Sequence, residues 1–534
     1  MFHQLLRPVA DSLWLSSLVA SLPIIVVLVL LGIVRRPAWQ AASAGLVVAC
    51  VTAVAIWRTP TPVAFSSIAA GATFALWPVM WIVLNGLALY NVTVVSGRFD
   101  AFRQWMVEHL PNDRRVVVIV VGFCFGCLIE GVAGYGLPVA ITSSLLISLG
   151  LPPIQALVVT LIFNTAPVAF GGLGVPVTTL GAVTQLPPAT LGAMIGRQVP
   201  FIAMLLPVYV IATQEGVRAL RGVWPVLAVS GLSFALSQFL ASNYLGYELT
   251  DLASSMTAMV ATIGFLKVWK LAPDERYALP AFSRSADQVR LPLAPWQGWV
   301  PWLLMVAVVT AWVHLKLSAV GEVKVAWPLL HDKVFITAYG RPYDAIWGFQ
   351  PLATGTAITA ASIVVAAAVG LSPRQYLHAV ARAAVQIRNP VATTMLIVGL
   401  AYLMNYSGMT YTLGIAASAA GAIFPLLAAF LGWLAVLLSG SDTSGNALFG
   451  NLQVVAANRL GLDPVLMAAT NSSGGVLGKI ISPQNIATGA AMTGMQGREG
   501  DILARTFKHS LILTLLLGLL VMAQQYLFPG IIPR

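Results

Sequence analysis

Residues 471–485 read NSSGGVLGKIISPQN, which places a lysine, two asparagines and three glycines where the surrounding composition predicts a plain membrane helix. The chain has 534 residues, of which 58% are hydrophobic and only 9% charged. A soluble protein would carry roughly 25% charged residues. Apolar stretches of membrane-spanning length recur, as at Leu13 to Val34, Ala42 to Trp57, Val223 to Leu240 and Ser510 to Leu527. About 20 helical residues cross a bilayer, and a β-barrel would instead show short alternating strands. The sequence therefore predicts an all-α polytopic membrane protein of about 12–14 transmembrane helices.

The formal net charge of +11 does not indicate nucleic acid, because the bases sit in short loops between apolar segments. That is the signature of cytoplasmic loops. Placing Arg35 and Arg36 inside starts the N-terminus outside, and the first apolar segment, which lacks a small-residue cleavage site, is expected not to be a cleavable signal. Arg218, Arg221, Lys267, Lys270, Arg276, Arg284, Arg290, Arg374, Arg382, Arg388, Arg498, Arg505 and Lys508 then fall on the same side, and 319–350 falls outside. The run RFDAFRQWMVEHLPNDRR (98–115) spaces Phe99, Phe102, Trp105 and Met106 as one helical face, predicting an amphipathic helix on the membrane surface. Cys124 and Cys127 have CxxC spacing but lie in an apolar stretch, so they read as small buried hydrophobes. The six histidines are scattered and suggest no metal site, and no cofactor motif occurs.

Two regions break the apolar pattern, Cys127 to Pro176 and Leu438 to Pro483. Each opens with an acid among glycines: Glu130 with Gly131, Gly134 and Gly136, then Asp442 with Gly445. Each continues through a Gly-Leu-x-Pro turn (150–153 and 461–464) to an Asn-Thr or Asn-Ser pair, Asn164-Thr165 and Asn471-Ser472. A proline follows twelve residues on in both, at Pro176 and Pro483. The proline-to-asparagine spacing differs, eleven residues against seven, which is about one helical turn. Counting crossings brings Glu130 on an outward-running helix and Asp442 on an inward-running one, so the repeats are expected to be inverted. The organisation predicted is N-terminal helices (1–97), an amphipathic linker (98–115), a first core repeat (116–200), intervening helices and loops (201–384), a second core repeat (385–497), and a basic loop with a last helix (498–534).

Backbone that leaves the helix inside a bilayer must be buried in protein or line a wet cavity. Gly474 and Gly475 permit such a break, and Asn164, Thr165, Asn471, Ser472 and Ser473 offer donors beside it. Facing tips of this kind suit a small anion; the alternative is polar glue between helices. An ionisable residue within the membrane costs roughly 2.5–3.5 kcal/mol on insertion scales, which makes it a functional candidate. Glu130 and Asp442 are thus candidates for proton coupling, since burial of an acid favours its protonated form. Asp442 could instead cap a helix. Lys479 could neutralise either acid, attract substrate, or snorkel to an interface.

These motifs resemble the bacterial L-lactate permease family. EGVAGYGLPVAIT looks like its E-G-x-x-G-[FY]-G segment, and NTAPVAFGGLGVP, GSDTSGNALFGNLQ, NSSGGVLGKIISPQNIA and the following KHS (508–510) match further signatures. Weaker matches at LWLSSLVASLPI, ATGTAI and NYSGM extend the resemblance over nearly the whole chain. It implies import of lactate, with glycolate and related 2-hydroxy monocarboxylates, in symport with protons across the bacterial inner membrane. More distantly, the paired tips are similar to those of the ion-transporter superfamily, which implies that Asn164, Thr165, Asn471 and Ser472 hold a carboxylate. Sodium-coupled relatives leave the coupling ion open. The partners expected are therefore the monocarboxylate, protons and the lipid bilayer, with assembly as a homo-oligomer open. A channel would need a ring-like filter, and an enzyme a nucleophile–base pair; neither pattern is present.

Overall fold

The computed structural model describes residues 1–533 apart from 35, 134–136 and 280–292. Gly134, Gly136, Arg35, Arg284 and Arg290 therefore lie outside the described residues. Among those described, ten helices are long and apolar enough to cross a membrane, or eleven if the bent pair Pro153–Phe163 and Val168–Thr184 is one span. The expected 12–14 also counted the helices of the glycine-rich regions. Asp442–Leu460 is not among the ten, and Pro464–Gly478 is too short.

The hydrophobic pattern is that of a protein solvated by lipid. Trp14, Leu18, Ile25, Leu232, Leu236 and Leu519 are exposed along outer helices, whereas the window around Arg114–Val132 is completely buried. Polar side chains collect inside instead, as expected where no water is available to satisfy them.

The basic loops meet at one end of the molecule. Arg115 grips Asp113 at 2.5 and 3.0 Å, donates to the Ala219 carbonyl at 3.1 Å and stacks on Tyr277. Arg114 pairs with Glu215, and Arg98 donates to Gln297 at 2.7 Å. The helix Arg98–Glu108 is amphipathic as expected, but its apolar face does not lie on lipid. Phe102 and Met106 are fully buried, and Phe102 packs on Trp299, Trp302 and Phe125. The same spacing serves a protein groove as well as a bilayer surface, and here Trp299 and Trp302 supply that groove.

The opposite end carries the strands, a small departure from all-α. Phe2–His3 pairs in parallel with Val334–Ile336, which pairs antiparallel with Arg341–Pro342, and Val323–Ala326 pairs antiparallel with Ile346–Phe349.

Between these ends run the glycine-rich regions. Gly126–Ala133 lies against Leu137–Ser148, with a Cβ on Gly126 falling 3.3 Å from Thr142 Oγ1. The next helix starts at the basic end, where Gln155 donates to Glu215 at 2.7 Å. It bends by 63° after Phe163 and leaves at the strand end, where Gln185 donates to the Asp344 carbonyl. In the second region Phe424–Ser439 and Asp442–Leu460 form a hairpin about Gly440 (φ +71°), closed by Gln453 donating to the Ala428 carbonyl at 2.9 Å. Asn458 donates to Tyr339 at the strand end, and Pro464–Gly478 starts from that end. The chain then leaves the α-helix over Lys479–Ser482 before Pro483–Met492.

Candidate functional site

The two breaks face each other across a buried ion pair. Lys479 follows the last turn of Pro464–Gly478, and its Nζ donates to Glu130 Oε1 at 2.8 Å with both side chains buried. The other carboxylate oxygen of Glu130 accepts from Asn164 Nδ2 at 3.0 Å. Asn164 sits where Pro153–Phe163 ends, and its own Oδ1 has no partner among the described residues. Thus the first asparagine reaches the first acid, and the lysine of the second region neutralises that same acid. Of the roles open to Lys479 in the sequence, snorkelling is removed by its 6% exposure.

Asp442 holds the second position. The helix cap is Ser441, whose side chain accepts from Ser444 N, so Asp442 is not spent as the cap. Asp442 Oδ2 accepts from Ser472 Oγ at 2.5 Å and from Asn446 Nδ2 at 3.3 Å, while Oδ1 is buried and unpartnered among the described residues.

Asn471 differs from Asn164. It lies inside a continuous helix, and the break comes eight residues later at Lys479. Its Nδ2 donates to Asn446 Oδ1 at 2.9 Å and its Oδ1 accepts from Gln453 at 2.9 Å, so its amide binds neighbouring helices together. Ser473 likewise donates to Gln198 at 2.7 Å, and Thr165 donates back to the Ile162 carbonyl.

The glycines divide in the same way. Gly131, Gly445, Gly474 and Gly475 are helical and do not break their helices. They permit close approach: Gly474 to the Ala429 carbonyl, Gly475 to Asp442 Oδ1, Gly445 to Val436, and Gly131 to Asp251. The left-handed turn in the first region falls later, at Gly172 (φ +55°), Leu173 (+59°) and Gly174 (+78°). Leu173 pays about 1–2 kcal/mol for that conformation, which marks the turn as held by its surroundings.

A cavity of about 110 Å³ lies beside the pair, lined by Glu130, Lys479, Asp442, Thr443, Gly171 and Gly172 among others. It is well below the roughly 300–1,000 Å³ of drug-sized sites. The first turns of Asp442–Leu460 and Pro483–Met492 reach it through Thr443 and Asn485, and such helix N-termini favour an anion. A larger cavity, about 780 Å³, opens at the strand end between Tyr247, Glu248, Arg341, Tyr402 and Tyr406.

Sequence reasoning missed Gly171, Gly440, Asn446, Gln198, Gln453 and Asp251. Gly171 and Gly172 stood within a quoted motif, so their signal was available. Asp251, 1% exposed at the start of Thr250–Val268, lay outside any glycine pattern; its signal was a lone acid opening an apolar helix.

Comparisons with known proteins place the chain in a family. Residues 16–528 match the family model described as L-lactate permease. The glycolate permease of Escherichia coli (strain K12) is 38% identical, with 97% of each chain covered. The L-lactate permease of Bacillus subtilis (strain 168) is 38% identical over 99% of each chain, and that of Escherichia coli (strain K12) 36% identical over 98% of each. The solved structure of MtrF from Neisseria gonorrhoeae overlays with a TM-score of 0.47 at 14% identity, covering 86% of this chain and 83% of that one, too remote to carry an argument. With nearly its full length matched by the family model, this multi-pass membrane protein belongs to the L-lactate permease family.

Proposed function

We propose that the protein imports lactate or glycolate with a proton across the bacterial inner membrane, and that the Glu130–Lys479 pair couples the two. The observation that carries this reading is a buried lysine, already neutralised by a carboxylate, on the wall of a small cavity. An arriving monocarboxylate needs a cation, and among the described residues Lys479 is the cation that lines this cavity. Glu130 must release it first. Simply parting a buried pair leaves an uncompensated charge, at about 3–5 kcal/mol. Protonating Glu130 removes that cost: its carboxyl gains the proton while the Lys479 N–H turns from Glu130 Oε1 to the substrate carboxylate. The net charge of the site is the same before and after. The substrate hydroxyl then has Asn164 Oδ1 and Asp442 Oδ1 within the same polar group of atoms, both without partners among the described residues.

The two broken spans, which start from opposite ends, support the inverted-repeat reading and a site that opens alternately to each side. The clustering of bases at one end supports placing that end in the cytoplasm. Purified protein in liposomes is expected to accumulate lactate on acidifying the outside, without sodium and with little response to an imposed membrane potential. Uptake that needs sodium would sink the proton assignment. Glu130→Gln is expected to abolish gradient-driven accumulation and spare lactate counterflow; intact accumulation would remove Glu130 from the coupling step.

A further inference from the structure

Asp251 is a third buried acid that the ion-pair exchange leaves without a role. It is 1% exposed, and neither carboxylate oxygen has a hydrogen-bond partner among the described residues. A structural aspartate would spend its oxygens on donors, as Asp113 does on Arg115. An ionised carboxylate with no donor is costly in a membrane interior.

It lies between residues that line the two cavities and lines neither itself. Tyr247 and Glu248 line the large cavity at the strand end, and Asp251 follows three residues on, in the first turn of Thr250–Val268. A Cβ on Gly131 would fall 2.8 Å from Asp251 Cβ, so Asp251 packs directly against the residue after Glu130, which lines the small cavity. The groups around it are few. Gly126–Ala133 brings Glu130 and Cys127, and the Val118–Phe125 segment brings Cys124, which contacts Ser230. Trp224–Leu240 and Gly171–Thr184 bring no titratable side chain, and the turn before the helix brings Tyr244, Tyr247 and Glu248. Glu130 and Lys479 are the charges that act on Asp251, and Lys479 is already held by Glu130.

We propose that Glu248, Asp251 and Glu130 form a proton path from the outer cavity to the ion pair, with Asp251 as the carrier between them. The proposal rests on the ion-pair exchange above and adds its proton route. Through an intervening water, the Asp251 O–H breaks as the Glu130 O–H forms, the water taking one proton and giving up another, and Asp251, left as a carboxylate, takes its next proton from the Glu248 side in the same way. No electrons are transferred and no bond to carbon changes. The ionised interval is eased by the helix N-terminus, whose dipole favours an acid in the first turn. Substrate does not use this path; it meets Lys479 in the small cavity.

The test compares wild type, Asp251→Asn, Asp251→Glu and Glu248→Gln in proteoliposomes, measuring pH-gradient-driven lactate uptake and lactate counterflow at equal pH. Asp251→Asn is expected to slow gradient-driven uptake by about a hundredfold, the scale of a lost proton-transfer group, and to flatten its dependence on external pH. Counterflow is expected to survive. Asp251→Glu keeps a carboxyl and the same Cβ against Gly131, and is expected to restore pH-dependent uptake; Glu248→Gln slows uptake less, since Glu248 is only half-buried. Wild-type uptake and pH profile in Asp251→Asn would overturn the proposal, as would loss of counterflow in both Asn and Glu variants, which would make Asp251 a packing residue. Failure of wild type to respond to the gradient would instead overturn the proton-coupled reading itself.

Discussion

Gly171→Ala tests the ion pair without touching either charge. Gly171 has φ −60° and ψ 153°, extended backbone that alanine adopts without strain. The whole effect is therefore steric and local. The new methyl would lie 2.9 Å from Glu130 Oε1 and 3.3 Å from its Cγ, whereas ordinary van der Waals contact begins at 3.4 Å. Glu130 must retreat by about 0.5 Å, but it is held by Lys479 at 2.8 Å and Asn164 at 3.0 Å. Stretching a charge-assisted bond by that amount takes it past the roughly 2.7–2.9 Å at which such bonds are strong. Overpacking of a close-packed site costs about 1–3 kcal/mol, which at about 1.4 kcal/mol per tenfold is roughly a five- to hundredfold loss. The assay is initial lactate uptake into liposomes under a fixed pH gradient, with Gly264→Ala as control. Gly264 is a helical glycine with nothing within 4 Å of its added Cβ. Equal uptake by Gly171→Ala and wild type would show that Glu130 can vacate its place freely, and the exchange mechanism would fall with it.

Lys479→Met leaves Glu130 buried without its cation and is expected to lower stability by about 3–5 kcal/mol and abolish lactate binding; thermal unfolding in detergent and equilibrium binding measure the two. Adding Glu130→Gln to that variant should recover much of the stability but no binding, and failure to recover would place Lys479's main contacts elsewhere. Asn164→Ala is expected to weaken lactate affinity, because the Oδ1 offered to the substrate hydroxyl is lost, and to lower stability by about 1–3 kcal/mol as buried Glu130 Oε2 loses its donor. Asn471→Ala should destabilise by about 1–3 kcal/mol, as Gln453 and Asn446 lose partners, and leave affinity unchanged; a pure affinity loss would return Asn471 to the substrate. Asp442→Asn keeps the shape of the Ser472 contact, so an unchanged melting temperature together with weaker glycolate competition is expected, and unchanged competition would exclude Asp442 from the hydroxyl side.

What the sequence made legible follows from what membrane physics restricts. Charges and glycine–proline breaks are rare in such a chain, so Glu130, Asp442 and Lys479 stood out, and the structure lines one small cavity with all three. The membrane class was readable for the same reason. Partners were not readable. Asn164 and Asn471 occupy matching places in the two motifs, yet one sits at a break and bonds to an acid while the other lies mid-helix and bonds to amides. That difference depends on where each helix gives way, at Asn164 in one and at Lys479 in the other. Glycines gave the same ambiguity: a glycine that breaks a helix and one that admits a neighbour look alike in one dimension, and Gly474 and Gly475 are of the second kind. The face of Arg98–Glu108 was legible but its partner was not, because Trp299 and Trp302 lie some two hundred residues away.

The charge inventory of the site gives the coupling its direction. Glu130, Asp442 and Asp251 are all buried, and Lys479 is the cation that acts on each of them. With every acid ionised the group would carry a net charge of about −2 on the formal states, and a monocarboxylate would take it to about −3 in a setting where each uncompensated charge is expensive. Substrate can therefore enter only as protons do. On the proposed mechanism a single proton on Glu130 suffices for the exchange at Lys479, because the other two acids have no cation to release. Uptake of one proton per lactate follows, and with it the insensitivity to membrane potential. A measured ratio of two would mean that Asp442 or Asp251 also takes up a proton with the substrate, each having a buried oxygen without a partner among the described residues.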